Sequence, residues 1–331
     1  MKKFSYFAGA LSALLVGVSA SAAANSYVPN CCTDNCEWSF CDGKFMVEAD
    51  WLYWQTEQTN MNVVQITDAD LNTKNILPDT NYENGYRVGV GYQVPSNGWE
   101  FKVVYTNMPI HAANSAIYPA GSDISTGISN IFSDTSGPGP GRVGIKWDGN
   151  INDIDVDVGR TLSFGECFRL RPHIGFRALW ADQKYKVRLV DLESDRYDFL
   201  VIDAKEKFNS YGVEAGLGAS WNIGSGFSLL GHFGGSLLYT NFNLNSSYAA
   251  TNLPGQTPVF HQKGKPSLGT STLDYCLGLA YTSTFCETEL DIYAGWEQHV
   301  LFDVNQLLLG TGDNSGNWYT QGLTLGLRAA F

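Results

Sequence analysis

The feature that most constrains this chain is an alternation of apolar and polar residues with period 2, repeated from Lys44 to the terminal Phe331. In an extended chain, period 2 places the two residue classes on opposite faces, so each such segment is a two-faced strand. Phe45, Val47, Ala49, Trp51 and Tyr53 alternate with Glu48 and Asp50. Tyr86, Val88 and Val90 alternate with Arg87, Gly89 and Gly91, and after a turn at 95–98, Trp99, Phe101, Val103 and Tyr105 alternate with Glu100 and Lys102. Ile154, Val156 and Val158 are set against Asp153, Asp155 and Asp157, whereas Ile145, Trp147 and Ile151 fall on the other parity. That switch predicts a bulge near Gly149-Asn150. The cleanest segment sets Leu170, Pro172, Ile174, Phe176 and Trp180 against Arg169, Arg171, His173 and Arg177. Further segments near 210–221, 227–239, 272–281, 289–297 and 319–331 bring the expectation to about ten strands, or twelve if 57–85 holds another hairpin.

A soluble sandwich also alternates, and three features separate it from a barrel. The segments are roughly 9–12 residues long, the length of a tilted membrane-crossing strand rather than a globular one. Aromatics (Trp51, Tyr86, Trp99, Tyr105, Trp180, Tyr211, Trp221, Tyr281, Trp296) gather at the ends of the apolar faces, where interfacial girdles form. Connections also alternate between long (57–85, 107–141, 189–209, 241–271, 298–317) and short (95–98, 160–167, 222–226, 282–288). That order predicts long external loops and short periplasmic turns, with both termini in the periplasm. The expected fold is all-β, a transmembrane antiparallel up-and-down barrel, because closure satisfies every backbone group in lipid. Only 16% of residues are charged and the net charge is −12, which excludes nucleic acid as a partner and leaves outer-membrane lipid as the surroundings.

Residues 1–24 read as a secretory signal peptide: Lys2 and Lys3, an apolar run, then Ala20-Ser21-Ala22 and Ala22-Ala23-Ala24 as cleavage sites. Residues 25–43 form a Cys-rich periplasmic segment and 44–331 the barrel. Cys31, Cys32, Cys36 and Cys41 precede the first strand, Cys167 and Cys286 lie in short connections, and Cys276 is mid-strand. In an oxidising compartment the first six are disulfide candidates, within the chain or between chains. Adjacent Cys31-Cys32 is poor zinc-ligand spacing, so no metal or other cofactor is expected. The odd total of seven leaves at least one thiol free or paired with another chain.

The polar faces would line the lumen. Candidates for its chemistry are Glu48, Asp50, Arg87, Lys102, Asp153, Asp155, Asp157, Arg169, Arg171, His173 and Arg177. An acidic triplet beside a basic one makes either a constriction whose transverse field selects solutes or a ladder of ion pairs stapling two strands. The histidines are scattered, so no catalytic residues are expected.

The early Cys cluster followed by FMVEADWLYWQTEQTNM resembles the MOMP-like porins of chlamydia-related bacteria. KWDGNINDIDVDVGRTLSFGECFRLRPHIGFRALW and the terminal LTLGLRAAF resemble the Legionella-type pore-forming major outer membrane proteins. The resemblance implies passive diffusion of small hydrophilic solutes or ions through the outer membrane. It also implies cysteines that cross-link envelope proteins or a homo-oligomer, and it supplies no catalytic residue. Ten strands are fewer than a large porin has, which implies a small conductance. The competing reading is a structural or adhesive outer-membrane protein with a plugged lumen, since narrow barrels fill with side chains. Lumen hydration separates the two.

Overall fold

Ten strands carry the alternating segments: β1 Lys44–Gln58, β2 Tyr82–Gln93, β3 Trp99–Tyr118, β4 Gly141–Arg160, β5 Phe168–Asp191, β6 Asp198–Gly224, β7 Phe227–Ala250, β8 Ser267–Phe285, β9 Thr288–Asn305 and β10 Gly316–Ala330. The computed structural model describes residues 43–61, 64–94, 98–126, 135–136, 140–165, 167–191, 198–250, 259–285, 288–307 and 315–331. Residues 1–42, which hold the expected signal peptide and nearly all of the expected Cys-rich segment, lie outside them. Each strand pairs antiparallel with the next, and β10 returns to β1 from Met46↔Ala330 to Gln58↔Trp318. Phe45 and Phe331 exchange backbone hydrogen bonds of 2.8 and 2.9 Å at the seam. The sheet is a closed barrel of ten strands, its first and last joined edge to edge.

These strands are longer than a bilayer needs. β5 has 24 residues and β6 has 27, about 80–90 Å of extended chain, against the 9–11 residues that cross a membrane. The excess all lies at one end, opposite the short turns and the termini. The expected long loops are therefore shortened by strand: β3 reaches Tyr118, β4 starts at Gly141, β6 at Asp198 and β8 at Ser267. Strand pairing continues past the membrane because the sequence there changes what each face carries, not its period.

That change is clearest in β5. Its odd residues face the lumen throughout. At the turn end they are Arg171, His173 and Arg177, and at the far end Leu179, Ala181, Tyr185, Val187 and Leu189, the last five all buried. Its even residues do the reverse, running from Ile174, Phe176 and Trp180 on the outside to Asp182, Lys184, Lys186 and Arg188. In lipid the apolar face points out. Beyond the girdle the outer face meets water and the apolar face turns in. β4 shows the same inversion, which corrects the expected bulge at Gly149-Asn150. Its register with β3 and β5 runs unbroken, and Ile145, Trp147 and Ile151 face inward on the same parity as Asp153, Asp155 and Asp157.

The segment 57–85 adds no barrel hairpin. Val64–Thr67 and Thr73–Ile76 pair with each other, and Val64–Thr67 also pairs with Asp123–Thr126, in a small separate sheet. Its buried Val64, Ile66 and Ile76 join the apolar cluster that fills the barrel's far half.

Candidate functional site: the charged lumen

Inward residues of the turn-end half form a charge network around two arginine centres, with three further ion-paired groups beside it. Its centre is Arg177, whose guanidinium lies 2.6 Å from Asp155, 2.5 Å from Asp274, 3.3 Å from Glu214 and 3.4 Å from Asp153. Asp155 stands opposite Arg177 in register, but Asp274 is on β8, so the side chain spans the lumen as well as the neighbouring strand. A second centre is Arg87, 2.8 Å from Glu297 and 3.3 Å from Asp50, with Tyr293 donating to Asp50 at 2.5 Å. Arg171 pairs with Asp157 at 2.5 Å and Glu100 at 3.1 Å, Lys102 with Glu48 at 2.7 Å, and Arg328 with Asp291 at 2.5 Å. His299 joins the two centres, its ring nitrogens 2.8 Å from Asp274 and 3.1 Å from Glu297.

Glycines on the inner face make room for this network. A Cβ on Gly89 would lie 2.6 Å from Glu48 Oε1, so the missing side chain on β2 lets Glu48 of β1 meet Lys102 of β3 across it. Likewise the His173 ring lies over Gly216 and stacks on His232 at 5.4 Å.

Ten carboxylates (Glu48, Asp50, Glu100, Asp153, Asp155, Asp157, Glu214, Asp274, Asp291, Glu297) thus share five permanent cations (Arg87, Lys102, Arg171, Arg177, Arg328). The acidic and basic edges are bonded to one another rather than standing apart as an open constriction. Asp153 is the least satisfied member, its Oδ1 having no hydrogen-bond partner among the described residues. Among these groups lies a cavity of about 290 Å³, with Asp50, Arg87, Asp153 and Arg177 on its polar walls and Trp54, Met108, Leu179 and Leu301 on its apolar ones. Beyond it the barrel is packed shut: Leu52, Trp147, Tyr185 and Trp318 are 0% exposed and Phe208 1%. Trp147 and Trp318 meet edge to face at 6.1 Å, and Phe208 meets Trp318 at 5.5 Å.

Among the described residues, one buried carboxyl group sits in that apolar half. Glu206 is 0% exposed, accepts from Gln183 Nε2 at 3.1 Å and the Gln306 backbone N–H at 2.8 Å, and has no cation partner among the described residues. Burial therefore pushes its carboxyl up to about 8. Gln306 belongs to the stretch 304–307, which folds into the mouth with every residue at most 3% exposed.

Of the residues expected to line the lumen, Glu48, Asp50, Arg87, Lys102, Asp153, Asp155, Asp157, Arg171, His173 and Arg177 do so together. Arg169 keeps the inward parity but lies exposed at the turn end. Cys167 is exposed and Cys276 partly buried, both as free thiols; Cys31, Cys32, Cys36, Cys41 and Cys286 lie outside the described residues. Sequence reading left out Glu297, His299 and Tyr293. Glu297 already stood on the polar parity at the end of the expected segment 289–297, and extending that strand by two residues would have found His299 as well.

Compared with known proteins, residues 40–331 match the family described as the Legionella pneumophila major outer membrane protein precursor. Comparison with curated protein sequences gave no match. Among solved structures, the chain is similar to the outer membrane protease OmpT from Escherichia coli, at 11% identity and a TM-score of 0.46, covering 89% of this chain and 98% of that one. It is also similar to a major outer membrane protein from Thermus thermophilus, at 14% identity and a TM-score of 0.36, covering 87% and 99%.

Proposed function

We propose, from the premise that this chain belongs to the Legionella pneumophila major outer membrane protein family, that it is an outer-membrane barrel with a shut lumen and a structural or surface-exposed role. The observation that carries this reading is the apolar layer across the bore. Leu52, Trp147, Tyr185, Phe208 and Trp318 leave no water contact, and hydrated solutes do not cross a dry apolar plug without moving it. The paired lumen charges fit the same reading, since carboxylates bonded to Arg177 and Arg87 serve first as cross-braces.

Passive diffusion of small hydrophilic solutes or ions is the second reading. It is favoured by the cavity of about 290 Å³ that charged side chains help to line in the membrane-level lumen, and it requires the apolar layer to open. No catalytic role is proposed, because the acid–imidazole contacts of His299 lie beneath that layer, away from any polymeric substrate.

Planar-bilayer recording on the refolded mature chain tests the proposal. The expected result is a sealed membrane from a demonstrably folded barrel, with current appearing in variants that remove the layer. Stable conductance steps from the unaltered chain would overturn the closed reading in favour of a porin.

A further inference from the structure

The outer surface just beyond the aromatic girdle is strongly asymmetric in charge. On β4, β5 and β6 the outward residues above Trp180 and Tyr211 include Lys146, Lys184, Lys186, Arg188, Lys205 and Lys207, against Asp148, Asp182 and Asp203. This concentration stands out in a chain with 33 acidic and only 21 basic residues. At comparable positions beyond the girdle, β7–β10 and β1 present the neutral Asn241, Asn243, Ser271, Gln298, Asn317 and Gln55 and the acidic Glu57, with Lys263 beside β7 as a cation there. Solubility alone would not concentrate six cations on three adjacent strands.

The patch is also short of internal partners. Lys146 pairs with Asp148 at 2.8 Å, and Lys186 and Lys205 share Asp203 at 3.7 and 3.8 Å. Lys184, Arg188 and Lys207 make no ion pair among the described residues. Lys184 stands between Lys205 of β6 and Asp148 of β4, Lys186 between Asp203 of β6 and Lys146 of β4, and Lys207 faces Asp182 of β5. The two like-charged pairs repel, and three aspartates against six cations leave the face net positive. Lys184 is four residues past Trp180, about 13 Å along a tilted strand, which puts its ammonium group at the headgroup level above the girdle. With the termini and short turns in the periplasm, that level belongs to the outer leaflet.

We propose that this face of β4–β6 binds the phosphate groups of outer-leaflet lipid headgroups. The lysine rows would hold a phosphate while the headgroup's acyl chains lie along Ile174, Phe176 and Val213 below, all exposed on the outer wall. The site rests on exterior residues and on the outer-membrane location, not on whether the lumen conducts.

The test uses the full mature chain refolded in zwitterionic micelles, titrated with phosphatidate or with phosphatidylcholine of the same chains, bound lipid being counted by native mass spectrometry. A juxtamembrane cation contributes about 1 kcal/mol toward an anionic lipid, roughly fivefold in affinity. Lys184→Gln/Lys205→Gln/Lys207→Gln should therefore cut a phosphatidate preference by up to about a hundredfold. The corresponding Lys→Arg variant should retain that preference, and Lys44→Gln at the turn end should leave it unchanged. Equal binding of both lipids by the unaltered chain would overturn the proposal. So would an undiminished preference in the folded triple variant, or a site that millimolar inorganic phosphate or heparin fills as readily as the lipid. Heat-modifiable gel mobility confirms that each variant is folded.

Discussion

Replacing Arg177 by Met tests whether the lumen network braces the barrel. The guanidinium holds Asp155 at 2.6 Å and Asp274 at 2.5 Å, with Glu214 and Asp153 within 3.4 Å, and its side chain is only 10% exposed. Met fills much the same volume, so the change removes charge and donors more than packing. Taking one partner from a buried ion pair typically costs 3–5 kcal/mol, because the other charge remains buried and unpaired. Here four carboxylates lose a shared cation, and two of them, Asp155 and Asp274, lose bonds of 2.6 Å or less. The expected loss is therefore at least about 3 kcal/mol, read as a shift in the urea midpoint of reversible folding into lipid vesicles at pH 8. Adding Asp155→Asn and Asp274→Asn to Arg177→Met should restore a large part of that loss, since neutral amides do not repel one another. An Arg177→Met barrel within about 1 kcal/mol of the parent would refute the brace. It would mean that water screens these carboxylates and that the lumen is wet enough to be a path.

Three further outcomes follow from other parts of the molecule. Trp147→Ala and Phe208→Ala, both at full burial, should each lower stability by roughly 3–5 kcal/mol, and in planar bilayers the double variant should pass current that the parent does not. Glu206, pushed up to about 8 from an ordinary 4.5, holds a proton when folded that it loses when unfolded. Stability should therefore fall as pH rises between those values, by up to roughly 1.4 kcal/mol per pH unit, and Glu206→Gln should flatten that slope in pH-dependent urea titrations. We propose disulfide cross-linking through the cysteines of 25–43 and through Cys167, which is exposed as a free thiol. Non-reducing gels of native envelopes should show a ladder that collapses with reductant, and a monomer under both conditions would end that proposal.

The barrel was legible because its cause is local. Period 2 needs no knowledge of partners, and the aromatic ends of the apolar faces mark where lipid stops, as Trp180 and Tyr211 do. What lay beyond those ends was misread for an equally physical reason. In β4 the apolar residues switch parity between Ile151 and Ile154; a bulge and an exchange of solvents produce the same pattern on paper. Continuous pairing such as Ile151↔Ala181 and Ile154↔Ala178 selects the exchange. The lumen was legible as a list and not as a network, because Arg177 reaching Asp274, or Arg87 reaching Glu297 across the seam, depends on strands that closure alone brings together. The same inversion explains the shut bore. A strand that leaves the bilayer and keeps pairing must turn its apolar face inward, and eight such faces converging on one axis have only each other to bury against. Closure of the far half is thus a consequence of strand length. It follows that a chain trimmed beyond the girdle, with short turns replacing 107–152 and 182–208, should keep its charged lumen, lose its apolar plug and conduct. A trimmed, folded barrel that still seals a planar bilayer would place the barrier in the ion-pair network around Arg177 instead.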